Sequence, residues 1–341
     1  MFGIAKKLKA MGIVGINKRN CELVLPNNPR RLYPLVDDKL RTKNLAGAVG
    51  IQVPELYATV ETEHDISRVE KMLQNRDEFV IKPVNGSGGK GIIVVVGRHK
   101  KNWIKASGDR ITIMEIRRHL SNILSGIYSL GGTPDTALIE YRVHSHSIFD
   151  RIAYKGVPDV RVILYKGIPV MAMLRLPTRA SDGKANLHQG AVGVGVNLIT
   201  GHSCGAVCKN EMIEHHPDSD EPLLDFQVPF WKDLRLLASR CYELVPLGYL
   251  GVDIVIDQAF GPMVLELNAR PGLSIQICNQ RGLQHAVDWV DRYKEEHNNQ
   301  IPQDAHIRSE LAERLYRDLV PSAETAETDD KEQPEIADNK P

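Results

Sequence analysis

Residues 79–96 read FVIKPVNGSGGKGIIVVV, and how this stretch folds decides which class of protein the chain belongs to. An apolar, strand-like run carries one lysine, Lys82. A glycine-rich segment follows, then a second apolar run. Glycine-rich loops beside a lysine often hold phosphate. A P-loop needs G-x-x-x-x-G-K-[ST] and a helix that opens at once. Here Lys90 is followed by Gly91 and IIVVV, a β-branched run that disfavours helix. A dinucleotide fingerprint needs a helix at the same place. Strand, glycine turn, strand remains. Such a loop can close over a nucleotide as a flap, offering backbone N–H groups and Ser87 to phosphate oxygens. Gly86, Gly88, Gly89 and Gly91 permit close approach and positive φ. Lys82 alternates with Val80 and Val84, so it needs a polar face or a partner. Taken alone, the stretch also suits a plain hairpin with a solvated lysine.

Residues 251–274, GVDIVIDQAFGPMVLELNARPGLS, favour the nucleotide. They read as a hairpin turning around Phe260-Gly261-Pro262. Asp253 lies on one strand; Glu266 and Asn268 lie two apart on the other, on one face. Carboxylates among apolar neighbours need cations. Two carboxylates and an amide oxygen form an oxygen-only set suited to Mg²⁺ bridging nucleotide phosphates. Asp257, nearer the turn, reads as a turn residue.

Other segments place these motifs. Residues 37–50 have helical spacing and end at Gly50. IQVPELYAT is a strand with Pro54 at an edge or turn. DISRVEKMLQNRD is a helix with Asp65 or Ser67 near its cap. Residues 110–130 are helical, and TALIEYRV is a strand. VPDVRVILYKGIPVMAMLRLPT is a hairpin turning at Lys166-Gly167. DFQVPFWKDLRLLASRCYELVP reads as the longest helix. Hairpins mixed with helices give an α+β class.

Composition excludes several functions. The 341 residues are 42% hydrophobic and 25% charged, with 43 basic against 43 acidic side chains. No global field points to nucleic acid, and aromatic content is too low for base stacking. No run is long enough to insert stably in a bilayer, and the basic N-terminus reads as a surface helix. Five scattered cysteines suit reduced thiols in a cytoplasmic protein. His202, Cys204, Cys208, His215 and His216 match no common zinc spacing. His144 and His146 read as a solvated or substrate-side pair. The last twenty residues are acidic and polar, and predict disorder.

The chain resembles the ATP-grasp superfamily, and within it the RimK-like α-L-glutamate ligases and related proteins. The motifs run in family order over roughly residues 35–285: DDKLRTKNLAGAVGIQVPE, EFVIKPVNGSGGKGI, ALIEYRV, DVRVILYKGIPVMAMLR, NLHQGA, GVDIVI and VLELNARPGLS. The resemblance implies an ATP-grasp fold, two α+β subdomains gripping ATP, here without a full N-terminal α/β domain. It implies a short extension over 1–35, an ATP-grasp domain over 36–290 with a lid at roughly 53–143, a helical segment over 291–320 and the tail over 321–341.

By resemblance, Lys39 and Lys82 contact ATP phosphates beneath a flap containing Gly86, Ser87, Gly88 and Gly89. Glu140, Tyr141, Arg142 and Val143 form the adenine hinge. Asp159 lies near the ribose, and Lys184 and Asn186 line the phosphate end. Asp253, Glu266 and Asn268 hold Mg²⁺, or Mn²⁺ in its place. Arg161, Arg175 and Arg270 match anion clamps with a catalytic role, with a structural salt bridge as the alternative for each, and His188 binds substrate or closes a loop hydrogen bond. The implied activity is ATP-dependent carboxylate–amine ligation through an acylphosphate, with small-molecule or peptide carboxylate and amine substrates and glutamate as one candidate. A phosphotransferase and a non-catalytic nucleotide-binding regulator are the alternatives. The resemblance is also compatible with a homo-oligomer.

Overall fold

The computed structural model describes residues 2–86, 88–129 and 131–320. Ser87 and the tail over 321–341 lie outside the described residues. The described strands form two antiparallel sheets. The first has six strands: β1 (Leu56–Val60), β2 (Glu78–Pro83), β3 (Ile93–His99), β4 (Asn102–Lys105), β5 (Arg110–Ile111) and β6 (Ala137–Glu140), in the order β1-β6-β2-β3-β4-β5. The second has seven: β7 (Asp159–Tyr165), β8 (Ile168–Leu176), β9 (Val192–Val196), β10 (Ser203–Cys208), β11 (Glu211–Ile213), β12 (Tyr249–Asp257) and β13 (Gly261–Asn268), in the order β11-β10-β9-β8-β7-β12-β13. Helices mixed with two antiparallel sheets give the expected α+β class.

Each sheet has its own core. Helices Glu63–Met72 and Ile113–Leu124 bury Ile66, Val69, Ile116, Leu120 and Ile123 against Phe79, Ile81, Val95 and Trp103 of the first sheet. Both helices begin with a capping box, Thr62 with Asp65 and Thr112 with Glu115, which satisfies two orphan N–H groups apiece. Thr62 is therefore the cap, and Asp65 its reciprocal partner rather than the cap itself. The second sheet packs on helix Trp231–Leu244 through Trp231, Leu234, Ala238 and Cys241. That helix has 14 residues. Ala305–Leu319, with 15, is longer, contrary to the sequence expectation.

The stretch before residue 36 is sewn into the second core. Val14, Leu23 and Val24 are buried there. Asn28 donates to the Tyr249 and Ala269 carbonyls and accepts from Tyr249 N–H, bridging β12 and the end of β13.

The strand expected over TALIEYRV stops at Glu140. Beyond it the chain leaves the first sheet and crosses to the second. Tyr141 N–H donates to the Glu55 carbonyl, and Val143 packs with Val255 and Met263. Asp257 holds the connector there. Its Oδ1 accepts from the turn amides of Ala259 and Phe260; its Oδ2 accepts from His144 N–H and Tyr141 Oη–H. One buried carboxylate thus closes the hairpin turn and ties down the connector. Burial, with Asp257 adding to it, pushes the Tyr141 hydroxyl up to about 12.

Candidate functional site

Helix Lys39–Ala48 begins at Asp38, whose side chain accepts from Arg41 N–H. The cap points Lys39 at the glycine flap. Its Nζ donates to the Gly86 carbonyl at 2.7 Å and to the Val84 carbonyl at 3.3 Å, and lies 3.7 Å from Glu266. One turn later Lys43 points inward too, with its Nζ bonded to the Pro54 carbonyl. Lys82 lies on β2, only 6% exposed. The partner its burial demands is Glu140 on the neighbouring strand β6, 2.5 Å away. Lys43 meets the other Glu140 oxygen at 2.9 Å. Burial pushes the Glu140 carboxyl up, but Lys82 and Lys43 together outweigh it and hold the group below the usual carboxylate range. Burial lowers Lys43, and Glu140 offsets only part of that. The cluster holds three lysines against Glu140 and Glu266, a surplus of one positive charge around a narrow cavity of about 20 Å³.

Both ends of the flap are clamped. Asp135 accepts from Asn85 N–H and Nδ2, and from Ser129 Oγ at 2.7 Å. Gly86 bridges to Ser129. At the other end His119 Nε2 meets the Gly91 carbonyl at 2.8 Å, and Tyr128 lies against Gly91, whose φ is +75°. A side chain at Gly91 would collide with that ring. Burial lowers His119, more than its bond to Gly91 raises it. Between the anchors, a Cβ on Gly89 would sit 3.7 Å from the Lys184 chain, so the flap tip meets the loop that follows β8.

A second ionic cluster lies on the sheet itself. Asp159 is opposite Arg175, Arg161 opposite Asp253, and Asp253 opposite Glu266. Directly paired residues share a face. Arg161 grips Asp253 at 2.7 and 2.6 Å. Arg175 grips Asp159 at 2.5 and 2.7 Å and reaches Asp253 at 2.8 Å. Burial and the charge of Asp253 push Asp159 up to about 6, against the pull of Arg175. Burial also opposes ionisation of Asp253, but Arg161 and Arg175 prevail and hold it low.

The donor set for a divalent cation fits in part. Glu266 is partly exposed, and among the described residues Asn268 Oδ1 accepts only from Arg270 N–H, leaving lone pairs on both. Asp253 fits poorly, because both of its oxygens accept from guanidinium groups. Among the described residues, no group of three or more His, Cys, Asp and Glu side chains is placed to hold a metal ion. That includes His202, Cys204, Cys208, His215 and His216.

The remaining candidates stand apart. Arg142 pairs with Glu78 at 3.1 Å, beside His144. Exposed Arg270 lies over the Tyr33 ring at 5.2 Å. Asn186 accepts from His188 N–H, opening the short turn Leu187–Gln189. Sequence reading missed Lys43, although its i+4 spacing from Lys39 signals a shared helix face. It also missed the His119, Tyr128 and Asp135 clamps, which have no local signal.

The fold and this flap-covered lysine cluster define an ATP-grasp protein. The chain belongs to the sugar-transfer associated ATP-grasp family, whose model matches residues 18–292. The match does not extend to the RimK-like glutamate ligases. No curated protein matches the sequence. Among solved structures, the ATP-grasp ligase PsnB complexed with minimal precursor is 15% identical, with TM-score 0.42 and coverage of 79% of this chain and 63% of that one. D-cycloserine synthetase DcsG is 15% identical, with TM-score 0.41 and coverage of 84% and 73%. The D-alanine-D-alanine ligase of Coxiella burnetii is 15% identical, with TM-score 0.42 and coverage of 78% and 61%.

Proposed function

We propose that the protein is an ATP-dependent carboxylate–amine ligase. The observation that carries this reading is the convergence of Lys39, Lys43 and Lys82 beneath a glycine flap clamped at both ends. Lys39 and Lys82 bind the ATP phosphates, and the surplus positive charge offsets the charge of the transferring group. The cavity has room for about a single water, so ATP enters when the flap and the lysine helix part. Glu266 and Asn268 would hold Mg²⁺, which supplies charge neutralisation at the phosphates. A carboxylate oxygen attacks the γ-phosphorus and ADP leaves. An amine then attacks the acyl carbon of the acylphosphate, and phosphate leaves with the original carboxylate oxygen. Positioning by the chain contributes more than covalent catalysis.

The family's description supports a substrate attached to or derived from a sugar, and the RimK-like motifs support glutamate as one partner. The test is a mass-spectrometric screen of acids and amines with ATP and Mg²⁺. ADP with a new amide supports the ligase. ADP with a phosphorylated hydroxyl supports a phosphotransferase instead, and binding without turnover a regulator.

A further inference from the structure

A second cavity, of about 450 Å³, lies outside the lysine cluster. That volume is in the range of small-molecule sites. Two chain segments that also frame the candidate phosphate site build it. One is the loop after β8, which contributes Ala180 and Leu187–Ala191 and whose Lys184 meets the flap at Gly89. The other follows the Glu266–Asn268 strand and contributes Ser274 and Ile277. The third wall is the β10–β11 turn, where Lys209 and Asn210 both have positive φ, a conformation that fixes the turn.

The lining has a definite charge. Lys209, His188, Ser274, Gln189 and Asn210 supply its polar side chains, and no carboxylate among the described residues lines it. Lys209 forms no ion pair among the described residues. Its Cε lies over Gly190, 3.7 Å from where a Cβ on that residue would sit. Thr178 Oγ1 donates to the Gly190 carbonyl at 2.8 Å and fixes the floor. A cationic wall facing an apolar floor of Leu187, Ala191 and Val207 selects an anion on a small organic body.

We propose that this cavity binds the carboxylate-bearing substrate of the ligase, and that Lys209 reads its negative charge. The inference rests on the ATP-dependent reading above. Two sources share the chemistry, an acidic amino acid and a sugar acid. The full chain, loaded with the non-hydrolysable ATP analogue AMPPNP, is titrated calorimetrically with L-glutamate in one arm and D-glucuronate in the other. At least one arm should bind. Lys209→Glu should weaken that arm about tenfold or more while AMPPNP affinity stays within about twofold. Lys209→Arg, which keeps the charge, should retain binding. Failure of both arms on the loaded protein, or equal binding by Lys209→Glu, overturns the proposal. Failure of AMPPNP itself overturns the nucleotide reading instead, and the same titrations on the free protein then decide the cavity.

Discussion

The two ionic clusters use similar groups to opposite ends. The lysine cluster is assembled from four separated elements, a helix start, two strands of the first sheet and one of the second, and carries more positive charge than negative. The arginine cluster sits on three adjacent strands, balances two guanidinium groups against two carboxylates, and engages every carboxylate oxygen. A cluster with unspent charge beneath a flap attracts an anion. A balanced cluster locked by sheet register holds the sheet's own geometry. The difference follows from where the partners lie. Strand pairing brings Asp159, Arg161, Arg175 and Asp253 together without help from loops, whereas Lys39 reaches Glu266 only through the packing of a helix.

Substitutions can break this contrast. The largest effect is expected for Arg175→Met, which strips a cation from two buried carboxylates and should cost about 4 kcal/mol in urea unfolding. If turnover falls while stability is unchanged, Arg175 is an anion clamp and the contrast fails. Lys82→Ala leaves buried Glu140 with Lys43 alone. It should cost about 3 kcal/mol and remove measurable AMPPNP binding by calorimetry. Lys39→Ala breaks a longer, partly exposed pair. Stability should change by less than about 1 kcal/mol, with AMPPNP affinity lower by about tenfold. A larger loss of stability than of affinity would make Lys39 a structural residue.

The weakest effect is a pH trend. Asp159 has its folded value raised to about 6 from an ordinary 3.8. The native state then binds more protons than the unfolded state between those values, so this group's contribution to stability falls as pH rises from about 4 to about 6. Asp159→Asn should remove that component from urea titrations across the window. An identical pH slope in both proteins would refute the assignment.

Much of this arrangement was legible in the sequence. IIVVV after the glycines excluded a helix, and β3 is a strand. The turns at Lys166-Gly167 and Phe260-Gly261 set the registers that place Asp159 opposite Arg175 and Asp253 opposite Glu266. Burial of Lys82 beside Val80 called for a partner. Local pattern could not name Glu140, because the partner stands 58 positions away across a strand pair. Nor could it show Asp257 holding the chain after Glu140, since that contact joins a turn to a distant connector. A salt bridge was open for Arg161 and Arg175, but local pattern could not name Asp253 and Asp159 as the partners. A lone arginine in a strand reads the same whether its anion is a ligand or the neighbouring strand's aspartate.

The step we propose is phosphoryl transfer from ATP to a substrate carboxylate. The most direct test uses the carboxylate substrate identified by the screen, labelled with ¹⁸O at the carboxyl group, with ATP and the amine. An acylphosphate route transfers one labelled oxygen into inorganic phosphate with each amide formed. Amide formation with unlabelled phosphate would contradict the account.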